Sequence, residues 1–286
     1  MPNHTASAGQ TTFLKRLLKR RKAVVGLVIL AVEVALVIVL PIVMNLDPYT
    51  SDTAAFNAAP SAAHLLGTDD VGRDIFARLL YGGRVSLIVG VSSMCISIAV
   101  GVPLGLIAGY FRGAWEAVIM RAADIFMSFP SLVLILVIVA VFGSSLPIIV
   151  CVIGLLGWTQ PAKLVYSNVL SVTRQEYVES ALGLGLGDAQ IIFKYVLPNV
   201  ISPVWASMAF NISSAITTEA SLSFLGMGIQ APEASWGNMV NSAQQYVTMI
   251  ARQWMWLPAG ICLVVTIIAV NLVGESIRDV YDPRSM

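Results

Sequence analysis

Histidine is almost missing from this 286-residue chain, occurring only as His4 and His64. Catalysis by an activated serine or cysteine needs a base beside the nucleophile, and these two, one in the N-terminal tail and one in a polar loop, supply none within an apolar segment. An intramembrane hydrolase is therefore not indicated. Cysteine is equally scarce. Cys95, Cys151 and Cys262 fall in apolar stretches, where a free thiol behaves as a small hydrophobe, so no disulfide framework or zinc cluster is implied. No Gly-x-x-x-x-Gly-Lys phosphate loop occurs, which excludes nucleotide binding of that kind by this chain. Charge is short as well: Asp, Glu, Lys and Arg together make up 12%, against about a quarter in a soluble domain.

Apolar sequence fills the gap. Hydrophobic residues reach 57% and mean hydropathy is +0.81, which marks an all-α integral membrane protein. Crossing a hydrocarbon core of about 30 Å takes about 20 residues, and six stretches qualify: 23–44, 85–109, 125–142, 146–162, 199–218 and 257–273. Thr159, Gln160 and Pro161 weaken the inner half of the fourth. The fifth carries Asn211, Ser213, Ser214, Thr217 and Thr218.

Basic residues set the orientation. Lys15, Arg16, Lys19, Arg20, Arg21 and Lys22 precede the first span and place the N-terminus in the cytoplasm. Six spans return the C-terminus to the same side, and thirteen of the seventeen Lys and Arg then lie inside. The division that follows is a basic tail at 1–22, a first helix at 23–45, an external segment at 46–84, a five-helix core at 85–278 and a tail at 279–286. Residues 23–44 are longer than a signal-peptide core and no small-residue cleavage site follows, so the first span is expected to be retained. Residues 1 to about 10 read as disordered.

One polar, glycine-punctuated stretch, the cytoplasmic loop 171–198, stands out between spans. Thr173 with Glu176 three residues on forms a candidate capping box for a short helix through Leu182. Gly183, Gly185 and Gly187 end it, Asp188 caps a second short helix to about Val196, and Pro198 marks the return to apolar sequence. A helix–turn–helix of this size suits a docking element. Its bland alternative is a solvated connector.

Within this loop Glu179-Ser180-Ala181, Gly185 and Leu197-Pro198 resemble the Glu-Ala-Ala, three residues, Gly, nine residues, Ile-x-Leu-Pro signature of permease subunits in bacterial ABC importers. Ser180 replaces the second signature residue and Tyr195 stands at the Ile position. Further segments resemble the dipeptide, oligopeptide and nickel permease group, in its second or C-type permease. They include Leu66-Gly67-Thr68-Asp69-Asp70-Val71-Gly72-Arg73-Asp74, Arg84-Val85-Ser86-Leu87, Phe129-Pro130-Ser131, Glu219-Ala220-Ser221-Leu222-Ser223, Ser235-Trp236-Gly237 and, at the end, Asp282-Pro283-Arg284.

The resemblance implies a type I ABC importer permease fold, a second homologous permease, two cytoplasmic ABC ATPases that hold ATP and Mg, and an external substrate-binding protein. It implies neither a cofactor nor a metal on this chain, and no nucleic-acid partner. Glu176, Tyr177, Glu179, Ser180, Ala181, Leu182, Gly185, Asp188, Ile191, Leu197 and Pro198 then form the ATPase-coupling loop, with Tyr177, Leu182 and Ile191 filling apolar pockets of the ATPase. Di- or oligopeptides are the implied cargo, and nickel or another small solute is the alternative.

Other candidates carry two readings each. Asn211, Ser214, Thr217 and Thr218 either line a translocation path or serve helix packing in lipid. Asp69, Asp70, Arg73 and Asp74 either contact the binding protein or form loop salt bridges. Glu33, deep in the first span, is a functional carboxylate by default or a contact to the neighbouring permease. Trp236, Trp254 and Trp256 read as anchors at the outer interface. Arg121 and Asp124 can pair on one helix face, Pro130 is expected to kink the third span, and Gly101, Gly105 and Gly109 permit close helix packing. An ion-coupled secondary transporter would show inverted repeats and several buried ionisable residues. Only Glu33 is deep.

Overall fold

A segment in lipid must satisfy every backbone amide internally, and the helix does so locally. The computed structural model, which describes residues 15–281, is built of helices, with no strand among the described residues. A helical turn at 15–18 leads into α1 (Arg21–Val43) and a long external loop into α2 (Ile75–Phe111). The core continues with α3 (Gly113–Ser128), α4 (Ser131–Phe142), α5 (Leu146–Leu156) and α6 (Thr159–Val172). Then come α7 (Glu176–Gly183), α8 (Asp188–Ile191), α9 (Leu197–Phe224), α10 (Trp236–Asn241), α11 (Tyr246–Ala251) and α12 (Leu257–Tyr281). Five helical spans are long and apolar enough to cross a bilayer: α1, α2, the joined α5 and α6, the joined α8 and α9, and α12. A bent pair, α3 with α4, supplies the sixth. Arg20 at the start of α1 bonds Asp279 near the end of α12 at 3.1 Å, and Lys22 meets Glu275 at 3.6 Å, so the two helices end on the same side. That closure requires an even number of crossings.

Three spans differ from their sequence expectation. At Pro130 the third breaks rather than kinks, bending by 87°. Phe129, forced toward extended backbone by the following proline, adopts φ −94° and ψ 143° and ends α3. The second span begins ten residues earlier than expected, at Ile75, because the Asp74 carboxylate accepts from the Ala77 amide at 2.8 Å and caps the helix. The external loop therefore ends at Asp74, and Arg78 and Arg84 lie on helix. Proline 198 does not interrupt the fifth span. A π turn at Ile192–Val196 joins α8 to α9, and this wider turn falls just before Pro198, whose ring would otherwise meet the carbonyl four residues back.

Between helices in lipid there is no hydrophobic gain, so close packing of small residues decides the contacts. Gly101, Gly105 and Gly109 of α2 lie against α6: a Cβ on Gly101 would stand 2.6 Å from the Trp158 carbonyl oxygen, and one on Gly109 2.7 Å from Val169 Cβ. Gly26 of α1 sits equally close to the Ala269 carbonyl of α12, which holds the first helix on the last. Asp124 bonds Lys163 of α6 at 2.7 Å instead of pairing with Arg121, tying α3 to α6. Glu33 accepts from Thr266 Oγ1 of α12 at 2.8 Å, which gives it a hydrogen-bond partner within the chain. Residues 1–14 and the Asp282-Pro283-Arg284 motif lie outside the described residues.

Candidate coupling segment and translocation cavity

The capping box at Thr173 does not form. α6 runs through Val172 and leaves Thr173 in helical geometry, with its hydroxyl donating back to the Leu170 carbonyl at 3.4 Å. Gln175 is the extended N-cap of α7, and Glu176 and Glu179 in the first turn face the positive helix end instead. The glycine turn follows the sequence. Leu184 is the C-cap, Gly185 adopts φ +77°, its amide bonds the Leu182 carbonyl at 3.0 Å, and the Leu186 amide bonds the Ala181 carbonyl at 3.3 Å. These two bonds make a Schellman turn, in which the left-handed position favours glycine. Asp188 lies one residue past the Gly187 N-cap, and instead of capping α8 it accepts a 2.9 Å hydrogen bond from the Tyr110 hydroxyl of α2. Arg112 donates to Thr173 Oγ1 at 3.3 Å. The cytoplasmic end of α2 thus holds both flanks of the segment.

Burial sorts its side chains. Val178, Ala181 and Ile191 are buried in one cluster with Val165, Val169 and Val196, and Leu197 packs on its edge. Ile191 therefore anchors the segment to its own chain and fills no partner pocket, which corrects the sequence expectation. Tyr177, Leu182, Ser180 and both glutamates are exposed, as is Pro198. Leu184 is 81% exposed and Phe193 69% exposed, two large apolar side chains with nothing over them in this chain. Sequence reading missed both. A leucine held between Gly183 and Gly185 in a turn was the available signal.

Above this segment, polar residues of several spans border a cavity of about 460 Å³. Asn211, Ser214 and Thr218 of α9 line it together, while Thr217 faces elsewhere and bonds the Ser213 carbonyl at 2.8 Å. Ser93 and Ser97 of α2 and Thr159 and Gln160 of α6 also line it; the last two are among the three residues that weakened the fourth span in sequence, and Pro161 is not on the wall. Among the described residues, no charged side chain lines the cavity.

On the far side, Asp69 is buried and accepts from its own loop, from the Val71 and Arg73 amides at 3.0 and 2.8 Å, and from Arg73 Nε at 2.7 Å. Asp74 caps α2 and contacts His64 at 2.9 Å; Asp70 is exposed. Trp236 is not an interface anchor: it is 1% exposed, with its indole N–H on the Leu79 carbonyl at 2.9 Å. The indole nitrogens of Trp254 and Trp256 are likewise buried, without a partner among the described residues.

Residues 101–286 match the family of the binding-protein-dependent transport system inner membrane component, and residues 11–60 match the N-terminal TM domain of oligopeptide transport permease C. The chain belongs to this permease family. It is a multi-pass inner-membrane protein and a component of an ABC transporter that works with ATPase components. Among similar proteins, a peptide permease protein of Brucella suis is 38% identical over 94% of this chain and 89% of that protein. The dipeptide transport system permease protein of Alkalihalophilus pseudofirmus is 34% identical over 98% and 92%, and the oligopeptide transport system permease protein of Bacillus subtilis 34% over 94% and 88%. A chain of the methionine ABC transporter MetNI, solved facing inward, superimposes with a TM-score of 0.60 at 16% identity, covering 72% of this chain and 97% of that one. The fold is that of a type I ABC importer permease, with both ends on the cytoplasmic side.

In this permease three separate motifs converge on one carboxylate that sequence reading left without a role. Glu219 of α9 is fully buried and accepts from Ser223 at 2.7 Å, from Ser235 at 2.8 Å and from Ser86 of α2 at 3.5 Å. Ser86 in turn accepts the Trp236 amide at 3.2 Å. The carboxylate therefore pins the external helix α10 onto the ends of α2 and α9.

Proposed function

We propose that this permease is one of two homologous transmembrane subunits of an importer for di- or oligopeptides. An external binding protein delivers the substrate, and two cytoplasmic ATPases, which hold the ATP and Mg, drive the cycle; this chain performs no catalysis and binds no cofactor itself. Peptide is the named cargo of its 34–38% identical relatives, whose length it nearly spans. The observation that carries the reading is the segment 173–198: anchored from beneath by Val178, Ala181 and Ile191, it presents Tyr177, Leu182, Leu184 and Phe193 outward.

Each part of the segment has a physical task. Exposed apolar side chains on a rigid turn fill pockets in a partner, and burying such anchors dominates interface energy. Glu176, Glu179 and Ser180 supply polar contacts at the rim. Gly185 fixes the turn, and the hydrogen bonds from Tyr110 and Arg112 pass displacement of the segment to α2, which borders the cavity. Asn211, Ser214 and Thr218 form part of the path that the substrate crosses. At the outer face, Asp69, Arg73 and Asp74 hold the external loop in shape, and exposed Asp70 is the member of that group left for the binding protein.

The test is uptake of labelled di- and tripeptides by proteoliposomes holding this permease with its cognate second permease, ATPases and binding protein. Accumulation should require ATP and should persist when an uncoupler collapses the proton gradient. Loss of uptake on collapsing the gradient would instead indicate ion coupling. Uptake of nickel or another small solute with no peptide uptake would reassign the cargo.

A further inference from the structure

The cavity bordered by α2, α6 and α9 has no ionised group on its wall among the described residues, yet it carries hydrogen-bonding capacity that they do not use. Three of its six hydroxyls are spoken for: Ser93 donates to the Val150 carbonyl at 3.1 Å, Ser97 to the Gly157 carbonyl at 2.8 Å and Thr218 to the Ser214 carbonyl at 2.7 Å. The carboxamides are not. Asn211 lines the cavity with its side-chain nitrogen shut off from water and without a hydrogen-bond partner among the described residues. Gln160, exposed on the α6 side of the same cavity, makes no side-chain hydrogen bond among them either. A buried donor without a partner is costly, and turning the carboxamide about its Cβ–Cγ bond exchanges this covered nitrogen with the oxygen beside it, so the group can meet an acceptor brought into the cavity.

A carboxamide has one carbonyl acceptor and an NH₂ donor, which matches the C=O and N–H of a peptide unit and fits no ionised group specifically. With no Lys, Arg, Asp, Glu or His among the lining residues, the cavity holds no counter-ion for a charged side chain or terminus. We propose that the Asn211 carboxamide hydrogen-bonds a main-chain peptide unit of the transported molecule, with the Gln160 carboxamide offering a second such contact. The cavity then reads the amide backbone common to all peptides and is indifferent to side-chain charge. This assignment rests on the peptide-importer reading above.

The experiment compares initial uptake of trialanine with that of its analogue carrying an ester in place of the second of its two amides, in proteoliposomes of the complete transporter. The binding protein is the same throughout, so its own preference cancels between permease variants. Asn211→Leu, nearly isosteric and without hydrogen-bonding groups, should lower the amide-to-ester ratio roughly three- to tenfold, the effect of one lost hydrogen bond. Asn211→Ser, smaller and still polar, is the second variant should the leucine disturb assembly, and should lower the ratio in the same direction. Stimulation of ATPase activity by the binding protein reports assembly of both. A ratio unchanged from wild type, or equal loss of both substrates in either assembled variant, overturns the assignment while leaving the importer reading intact. If the wild-type transporter accumulates neither compound, the peptide reading itself falls, and this assignment with it.

Discussion

Arg84 of α2 donates from Nε to the Val37 carbonyl of α1, the carbonyl that Pro41, lacking an N–H four residues on, leaves without a helical donor. A second nitrogen of the same guanidinium bonds the Ile38 carbonyl at 3.0 Å. The proline and the arginine thus form one device, since the first opens a gap in the helix ladder and the second closes it from the neighbouring helix. Arg84→Ala should destabilise the permease by about 1.5–3 kcal/mol, as expected for a hydrogen bond to a charged group. In a Pro41→Ala background the helix regains its own donor, and the same change should cost about 1 kcal/mol less. Thermal unfolding of the four variants in detergent completes the cycle; strictly additive effects would show that the two residues act independently.

Gly185 tests whether conformation or space governs the coupling turn. At φ +77° with no atom within 4 Å of its would-be Cβ, the position has room for a side chain but not the backbone preference of one. Gly185→Ala should therefore cost about 1 kcal/mol in the turn, and Gly185→Asn, which tolerates left-handed geometry, noticeably less. Transported peptide per ATP hydrolysed should fall in the order Gly, Asn, Ala, Asp, with membrane insertion unchanged throughout. An alanine variant as well coupled as the asparagine one would argue that φ is not the constraint.

How far the sequence foretold this depends on the length of pattern available. The spans α1 and α12 announce themselves as apolar runs near 20 residues, and Gly101, Gly105 and Gly109 as a packing stripe, because both signals repeat along one helix. The cavity wall was partly readable in the same way: Asn211, Ser214 and Thr218 fall on one helical face at spacings of three and four, whereas Thr217 is rotated off it. Short-range signals did worse. Thr173 and Glu176 have capping-box spacing, but α6 extends into Thr173 and keeps it helical, which a four-residue pattern does not register. Ile191 sits in a segment too short for periodicity, so only packing reveals that it faces inward. Glu219 needed Ser86 and Ser235 from outside its own helix, besides Ser223 one turn on, to become a site.

Tyr110 tethers the second half of the coupling segment through its 2.9 Å bond to Asp188. Tyr110→Phe removes one hydroxyl from an exposed contact, and a typical net value of about 0.5–1.5 kcal/mol leaves the fold intact. The expected loss is in transmission: peptide uptake reduced severalfold while the complex hydrolyses ATP at close to its normal rate. Equal reduction of uptake and hydrolysis would place the defect in ATPase docking instead of in the link to α2.

Glu219 accepts from the hydroxyls of Ser86, Ser223 and Ser235, and substitutions there separate charge from hydrogen bonding. Glu219→Leu strands three hydroxyls in a dry site and should destabilise by about 3 kcal/mol or more, since each buried polar group left unpaired costs about 1–3 kcal/mol. Glu219→Gln keeps an acceptor oxygen for Ser223 and Ser235 and should cost about 1 kcal/mol. The damage from leucine should be local before it is global, because Ser86 also holds the Trp236 amide: α10 should detach first and the loop 225–235 should become open to protease from the outer face. Unfolding temperature and limited proteolysis of the two variants measure this directly, and a leucine variant as stable and as protected as wild type would remove Glu219 as the pin between α2, α9 and α10.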